Sequence, residues 1–309
     1  MNFIIGTRSS QLALYQANAV KNLFESHFPH NSFILKTYHT VGDKILDRPL
    51  SAVGDKGMFT AELEEDLLSG NIHFAVHSLK DMKIDLPKEL IIASVLPRGE
   101  FRDCLVANNV NDFENLSQND VVATSSLRRK AQILHFHKNI SVIDIRGNIN
   151  SRLKKFSDGY SSALIMAATG LQRLNLQNFI SQIIPEDIFI PAACQGIIAV
   201  ETALHNDIAI SMAKQINHKV TFDQSLAERH FLGIIDGGCK TPFGCYTRFS
   251  GNEFFIKGFM SMPDGNNFII DSCSGAINDY YSVVDNLANN LLKKGGGVIL
   301  KYMQNHDAL

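Results

Sequence analysis

Three kinds of residue in this chain could do chemistry, and each sits where a turn would present it. Cys239 lies in Gly237-Gly238-Cys239-Lys240-Thr241-Pro242. The two glycines let the backbone reach unusual dihedrals and let a bulky group approach, and Pro242 ends regular structure. The neighbouring ammonium of Lys240 favours a nucleophilic thiolate, against the bland alternative of a small core cysteine. Asp81, in His77-Ser78-Leu79-Lys80-Asp81, is an acid among cations. It reads either as a salt-bridge partner or as a carboxylate that stabilises developing positive charge or carries a proton, worth about 10²–10⁴ in rate. The third kind is arginine. Arg8, Arg128, Arg129, Arg146, Arg152 and Arg173 all fall shortly after apolar runs.

The elements that must position these residues are short strands followed by amphipathic helices. Phe3-Ile4-Ile5 leads into Gly6-Thr7-Arg8-Ser9-Ser10 and a helical pattern over 11–24. Residues 72–76 lead into Ser78-Leu79-Lys80-Asp81, and 121–123 into Thr124-Ser125-Ser126-Leu127-Arg128-Arg129 with a helix to about 137. Residues 142–145 lead into Arg146-Gly147-Asn148, and 163–166 into Ala167-Ala168-Thr169-Gly170. This alternation predicts α/β units around mostly parallel sheets. Ligands of such sheets bind beyond the carboxyl ends of the strands, where Ser10, Ser78, Lys80, Thr124 and Ser126 join the arginines. Hydroxyls and helix N-termini favour anions, and guanidinium adds planar, bidentate recognition. One arginine is usually a solvated charge; six past strand ends imply a ligand with several negative charges, at about 1.5–3 kcal/mol for each charge-assisted hydrogen bond. Whether those charges are phosphate or carboxylate stays open at this point.

The last third differs. A helix is predicted over 222–234 with Thr221 as its cap, then three strands over 246–249, 253–260 and 267–272 separated by turn residues. A final helix over 281–292 is predicted to stop at Gly295-Gly296-Gly297. A long loop spans about 40–59.

Composition narrows the classes. At 309 residues, with 45% hydrophobic and 19% charged residues, the chain has the make-up of an ordinary soluble protein of two or three domains. A net charge of −2 counts against nucleic acid, despite Arg128-Arg129-Lys130 and Lys154-Lys155. There is no apolar run of transmembrane length and no secretory signal pattern at the N-terminus. Five cysteines without a CxxC pair suit a reducing cytoplasm. Neither phosphate-binding glycine fingerprint occurs. No metal is expected: His73 and His77 lie in a strand-like run, and His135 and His137 point to different helix faces.

A series of blocks, in order from residue 5 to about 245, resembles the porphobilinogen deaminase (hydroxymethylbilane synthase) family. They include Ile5-Gly6-Thr7-Arg8-Ser9-Ser10-Gln11-Leu12-Ala13-Leu14, Gly54-Asp55-Lys56-Gly57-Met58-Phe59 and Ala75-Val76-His77-Ser78-Leu79-Lys80-Asp81. Ala123-Thr124-Ser125-Ser126-Leu127-Arg128-Arg129, Ile145-Arg146-Gly147-Asn148 with Arg152, and Ala168-Thr169-Gly170-Leu171-Gln172-Arg173-Leu174 follow. Gln195-Gly196 and Glu228-Arg229 carry the match into Gly237-Gly238-Cys239. The resemblance implies a transferase that joins four porphobilinogen molecules head to tail, releasing ammonia, to give hydroxymethylbilane in haem biosynthesis. It implies a dipyrromethane cofactor in thioether linkage to Cys239 and a catalytic role for Asp81. Cofactor binding falls to Ser78, Lys80, Thr124, Ser126, Arg128, Arg129, Arg146 and Gly147; substrate binding falls to Arg8, Ser10, Lys56, Phe59, Arg146, Arg152, Arg173 and Gln195. The implied fold is α/β with three domains. Two resemble periplasmic binding proteins with a cleft between them (1–96 with 197–215, and 100–193), and a small α+β domain (218–309) carries the cysteine. A cytoplasmic monomer is implied as well.

Three positions depart from the family pattern: Ala52 where lysine is frequent, Cys194 where glycine is frequent, and Lys240 where a neutral residue is frequent. Two rivals fit less well. A periplasmic-type anion-binding protein has no need of Cys239. A cysteine hydrolase or acyltransferase would require His230 or His77 to act as base to Cys239.

Overall fold

Parallel strands joined by helical crossovers build two five-stranded sheets of one design. The computed structural model describes residues 1–40, 60–235 and 241–306. Lys56, Phe59, Ala52 and the whole of Gly237-Gly238-Cys239-Lys240 lie outside the described residues. The chain forms two compact units. The first comprises described residues 1–40, 60–99 and 196–223, and the second comprises 100–195 and the remainder from 224.

In the first unit β1 (Asn2–Arg8), α1 (Gln11–His27), β2 (Ser32–Tyr38), α2 (Ala61–Leu68), β3 (Phe74–Ser78) and β4 (Leu90–Val95) follow one another. The chain returns later to add β10 (Ile198–Ala203) and α6 (Asp207–Gln215). The order is β2-β1-β3-β10-β4, with β1 parallel to both neighbours and β10 antiparallel to β3 and β4. The helical spacing of Ala13, Ala17, Val20 and Phe24 lays one face of α1 on the sheet. There Phe24 packs 5.1 Å from Phe33 and 4.6 Å from Phe74, ring centre to ring centre.

The second unit repeats the pattern with β5 (Asp103–Ala107), β6 (Val121–Ala123), α3 (Leu127–Phe136), β7 (Ser141–Ile143), α4 (Ile149–Ser157), β8 (Ala163–Ala167), α5 (Ala168–Arg173) and β9 (Gln182–Ile183). Its order is β7-β6-β8-β5-β9, again three parallel strands followed by an antiparallel one. Buried residues alternate between the sheet's two faces. Val106, Leu164 and Met166 belong to one apolar cluster, and Leu105, Ala163 and Ile165 to the other. The same strand arrangement thus occurs in both sheets.

Within the second unit a three-stranded antiparallel sheet, β11 (Phe243–Ser250), β12 (Glu253–Met260) and β13 (Ile269–Ala276), is covered by α8 (Tyr280–Leu291). Val283, Val284, Leu287, Ala288 and Leu291 form the covering face. The α+β character predicted for this part therefore holds. One local expectation does not. The helix preceding the cysteine loop, α7, runs Lys219–Ile235, so Thr221 lies inside it and is not its cap. The Thr221 hydroxyl accepts from Arg98 N (3.1 Å) and pairs with His218 Nδ1 (2.8 Å), which also accepts from Thr221 N (3.3 Å). The stop predicted at the three glycines is found, because the helical backbone that begins with α8 breaks there. Gly295 alone takes a left-handed conformation (φ 125°), and a further helix, α9 (Gly297–His306), follows. Ile299 and Met303, one turn apart and buried, give that segment an apolar face of its own.

Candidate active site

The first unit brings Arg8, Ser10, Ser78 and Asp81 together around one pocket. Arg8 ends β1, and Ser10 caps α1 by accepting from Ala13 N (3.3 Å), a bond that leaves its hydroxyl proton unspent. The neighbouring parallel strand β3 ends at Ser78, whose hydroxyl exchanges hydrogen bonds with Gln16 (2.7 and 3.2 Å). A single 3₁₀ turn, Leu79–Asp81, then buries Leu79 and leaves Asp81 exposed. Lys80 shares this turn without lining the pocket. Two strand ends, side by side because β1 and β3 pair, thus place a cation, two hydroxyls and a carboxylate at one opening.

Behind this opening stands a pair that was not singled out as a unit from the sequence. His77 Nε2 lies 3.0 Å from Glu201 Oε2, and the Glu201 side chain is fully enclosed between β3 and β4. Its other oxygen, Oε1, has no hydrogen-bond partner. His77 lines the pocket and its ring is held by Glu201. The available signal was Glu201 itself, a lone acid in the otherwise uncharged strand Ile198–Ala203.

In the second unit most of the predicted residues lie just past the carboxyl ends of β6, β7 and β8, three adjacent parallel strands. Thr124 and Ser126 organise the turn from β6 into α3: Thr124 Oγ1 accepts from Ser126 N (3.3 Å) and Ser126 caps α3 through Arg129 N (3.4 Å). After β7, Gly147 adopts φ 115°, and a Cβ there would lie 2.9 Å from Ser151 Cβ. Only glycine therefore fits this approach. Arg152 closes the same turn, its Nε donating to Gly147 O (2.7 Å). Arg146 precedes that glycine, and Arg173 ends α5 after β8.

Arg128 and Arg129 are not open surface cations. Each is 7% exposed, and both close on Asp103, which has no exposed surface at all. Arg128 Nη2 donates to Asp103 Oδ2 (2.7 Å) and its Nη1 to Ile190 O (2.6 Å). Arg129 donates to Oδ1 through Nε (3.1 Å) and Nη2 (2.7 Å). Gln195 is also wholly buried, its amide nitrogen donating to Asp103 Oδ1 (3.0 Å) and Phe101 O (2.8 Å). Burial alone would push the Asp103 carboxyl up, but the Arg128 and Arg129 charges, with hydrogen bonds from Arg129 and Gln195, hold it down at about 2. The two partners do not gain equally. Burial and the adjacent Arg129 charge lower Arg128 by more than Asp103 restores. Guanidinium stays protonated throughout the working range, so the ionised Asp103 is the firm conclusion. Two cations against one anion leave a buried cluster with net charge +1, which suits an acidic ligand. Sequence alone did not reveal Asp103, since nothing in Arg102-Asp103-Cys104 marks which charges turn inward.

The Cys194 departure also has a structural account. Cys194 is one of three non-glycine residues with positive φ among those described (61°), and Gly196 follows at 90°. Glu228 of α7 holds the turn: its Oε2 accepts from Cys194 N (2.5 Å), while Oε1 accepts from Thr247 N and Oγ1.

Each unit gathers cations, capping hydroxyls and helix starts past its parallel strand ends, the arrangement of an anion-binding α/β protein, and in the first unit the exposed Asp81 shares the pocket of Arg8 and Ser10. The comparisons with known proteins specify it further. Residues 3–211 match the family described as porphobilinogen deaminase, dipyromethane cofactor binding domain, and residues 222–293 match the porphobilinogen deaminase C-terminal domain. The porphobilinogen deaminase of Syntrophomonas wolfei is 39% identical over 97% of this chain and 98% of its own. That of a Nostoc strain is 40% identical over 96% and 93%, and that of Geobacter sulfurreducens 38% over 96% and 93%. The chain belongs to the porphobilinogen deaminase family. Its activity is the condensation of porphobilinogen on a dipyrromethane cofactor in tetrapyrrole synthesis. No described helix is long and apolar enough to cross a membrane.

Proposed function

We propose that this enzyme is a hydroxymethylbilane synthase, a transferase that joins four porphobilinogen units and releases ammonia at each addition, with Asp81 as its catalytic carboxylate and Cys239 as the cofactor anchor. The observation that carries the reading is the pairing of an exposed Asp81 with Arg8 and Ser10 in one pocket of a chain whose family condenses a dicarboxylate amine. The dipyrromethane, when bound, supplies the pyrrole carbon to which the first substrate unit is joined. Its acidic side chains fit the buried positive cluster of Arg128 and Arg129 and the neighbouring Thr124, Ser126, Arg146 and Gly147, with Ser78 and Lys80 completing the set. Cys239 would hold the cofactor through a thioether, a bond that stays in place from one turnover to the next.

Arg8 and Ser10 bind substrate carboxylates, joined by Arg146, Arg152 and Arg173 and by Lys56 and Phe59 of the long loop. Gln195 acts from inside, by fixing Asp103. As ammonia leaves, the substrate's methylene carbon becomes electron-poor. The Asp81 carboxylate stabilises that positive charge and accepts the pyrrole N–H, a fixed negative group that needs no reorganisation during the step. The proton lost from the attacking ring carbon leaves with the released ammonia as ammonium, so charge balances.

We further propose three domains, 1–96 with 197–215, 100–193, and 218–309, in a cytoplasmic monomer without nucleic-acid partners. The return of β10 to the first sheet supports the first of these boundaries, and the net charge of −2 supports the last statement.

Intact-mass measurement tests the anchor. The wild-type protein is expected to carry two pyrrole units, and Cys239→Ser none. Asp81→Ala is expected to fold and retain the adduct while porphobilinogen consumption falls by about 10²-fold or more. An unmodified but active wild type, or near-normal turnover in Asp81→Ala, refutes the assignment.

A further inference from the structure

Among the described residues, Thr60 is the one member of the first unit's pocket wall whose buried hydroxyl has no hydrogen-bond partner. It is 2% exposed, lines the pocket that holds Arg8, Ser10, Ser78 and Asp81, and its Oγ1 is buried without a partner. It also occupies the N-cap of α2, where a threonine hydroxyl ordinarily accepts from an amide of the first helical turn. Here the side chain makes no cap bond. A buried hydroxyl that bonds neither to the fold nor to its own helix destabilises the free protein. Such a cost is commonly tolerated where the group is kept for a ligand.

The chemistry of the pocket says which ligand group. Arg8 contributes a positive charge, Ser10 retains its hydroxyl proton, and the start of α1, with no acid in its first turn, borders the opening with partial positive charge. Asp81 is the sole acid among the described residues of the wall, and it repels a carboxylate while attracting an ammonium. A substrate that carries both kinds of group is therefore sorted by charge, its amine towards Asp81 and an acid group towards the donors.

We propose that Thr60 is a substrate-binding residue whose hydroxyl donates a hydrogen bond to a carboxylate of the porphobilinogen unit seated beside Arg8 and Ser10. This rests on the porphobilinogen reading and extends it by assigning a specificity contact at the start of α2. The Thr60 hydroxyl serves the bound substrate and not the fold, so binding and stability should move apart when it is removed.

Thr60→Val keeps the shape and deletes the hydroxyl. Porphobilinogen kinetics with the cofactor-loaded enzyme should show an apparent KM raised about tenfold, the loss falling on KM and not on kcat. The thermal midpoint should stay level or rise, because an unpartnered hydroxyl has been replaced by a methyl group. Thr60→Ser, which restores the hydroxyl, should return KM to within about twofold of wild type. An unchanged KM in Thr60→Val overturns the proposal. So does a fall in thermal midpoint that accompanies the KM change and is relieved together with it in Thr60→Ser, since that marks a structural hydroxyl. A wild-type protein that consumes no porphobilinogen overturns the functional reading itself, and the subsite with it.

Discussion

Replacing Asp103 with asparagine removes one negative charge from between two buried guanidiniums. In the native protein Asp103 takes four hydrogen bonds, two from Arg129, one from Arg128 and one from Gln195. All four side chains involved are 7% exposed or less. Asparagine is nearly isosteric, yet its amide nitrogen must face a guanidinium donor, and both arginines lose their counter-charge. Breaking a buried ion pair from one side costs about 3–5 kcal/mol. At roughly 2–4 °C per kcal/mol for a unit of this size, the thermal midpoint should fall by on the order of 10 °C. The pH dependence gives a second readout. Asp103 is held at about 2 against an ordinary 3.8. A carboxyl depressed in the folded state contributes stability that is complete above about pH 4 and lost as pH falls through about 2. The shift corresponds to about 2 kcal/mol over that window. Wild-type acid unfolding should therefore be steeper between pH 4 and 2 than that of Asp103→Asn. Intact mass on the same sample should show reduced dipyrromethane loading, because the arginines that meet its acid groups are no longer held. A midpoint within about 2 °C of wild type, with parallel acid-unfolding curves, would refute the assignment of Asp103 as the counter-charge of this cluster.

Two other substitutions probe how the site is held. Gly265, with φ 78°, lies against α3, and a Cβ there would come within 2.6 Å of His135 N and 2.7 Å of Ala131 O. Those are backbone atoms of the helix that bears Arg128 and Arg129, so Gly265→Ala should cost about 1–3 kcal/mol in chemical denaturation and lower cofactor loading; a neutral result would show that the turn can move away freely. Glu201→Ala should also destabilise, by about 1–3 kcal/mol, because it strips His77 of its buried partner. Unaltered urea midpoints in that variant would mean the pair contributes nothing to the fold.

Much was legible in the chain because local rules were enough. Period-two and period-3.6 patterning marked β1, α1, β6, α3, β8 and the β11–β13 meander, and residues just past strand ends were bound to collect at one edge of each sheet. Arg8, Ser10, Ser78 and Asp81 could be grouped in advance for that reason, and the ordered motif blocks supplied the family and its chemistry. Local signals were less sure at element ends. Thr221 looked like a cap, but α7 begins at Lys219 and takes Thr221 into the helix. The glycines at 295–297 did mark a stop, at Gly295, but gave no sign of the further helix beyond it.

What only the tertiary structure decided was which charged and polar groups turn inward. An arginine, an aspartate or a threonine reads the same in a sequence whether it meets water or a buried partner. Asp103 inside two guanidiniums, Glu201 against His77 and Thr60 without a partner each depend on strands and helices far apart in the chain. The free energy of burying such a group is set by the neighbours that folding brings to it, and no local pattern of residues records them.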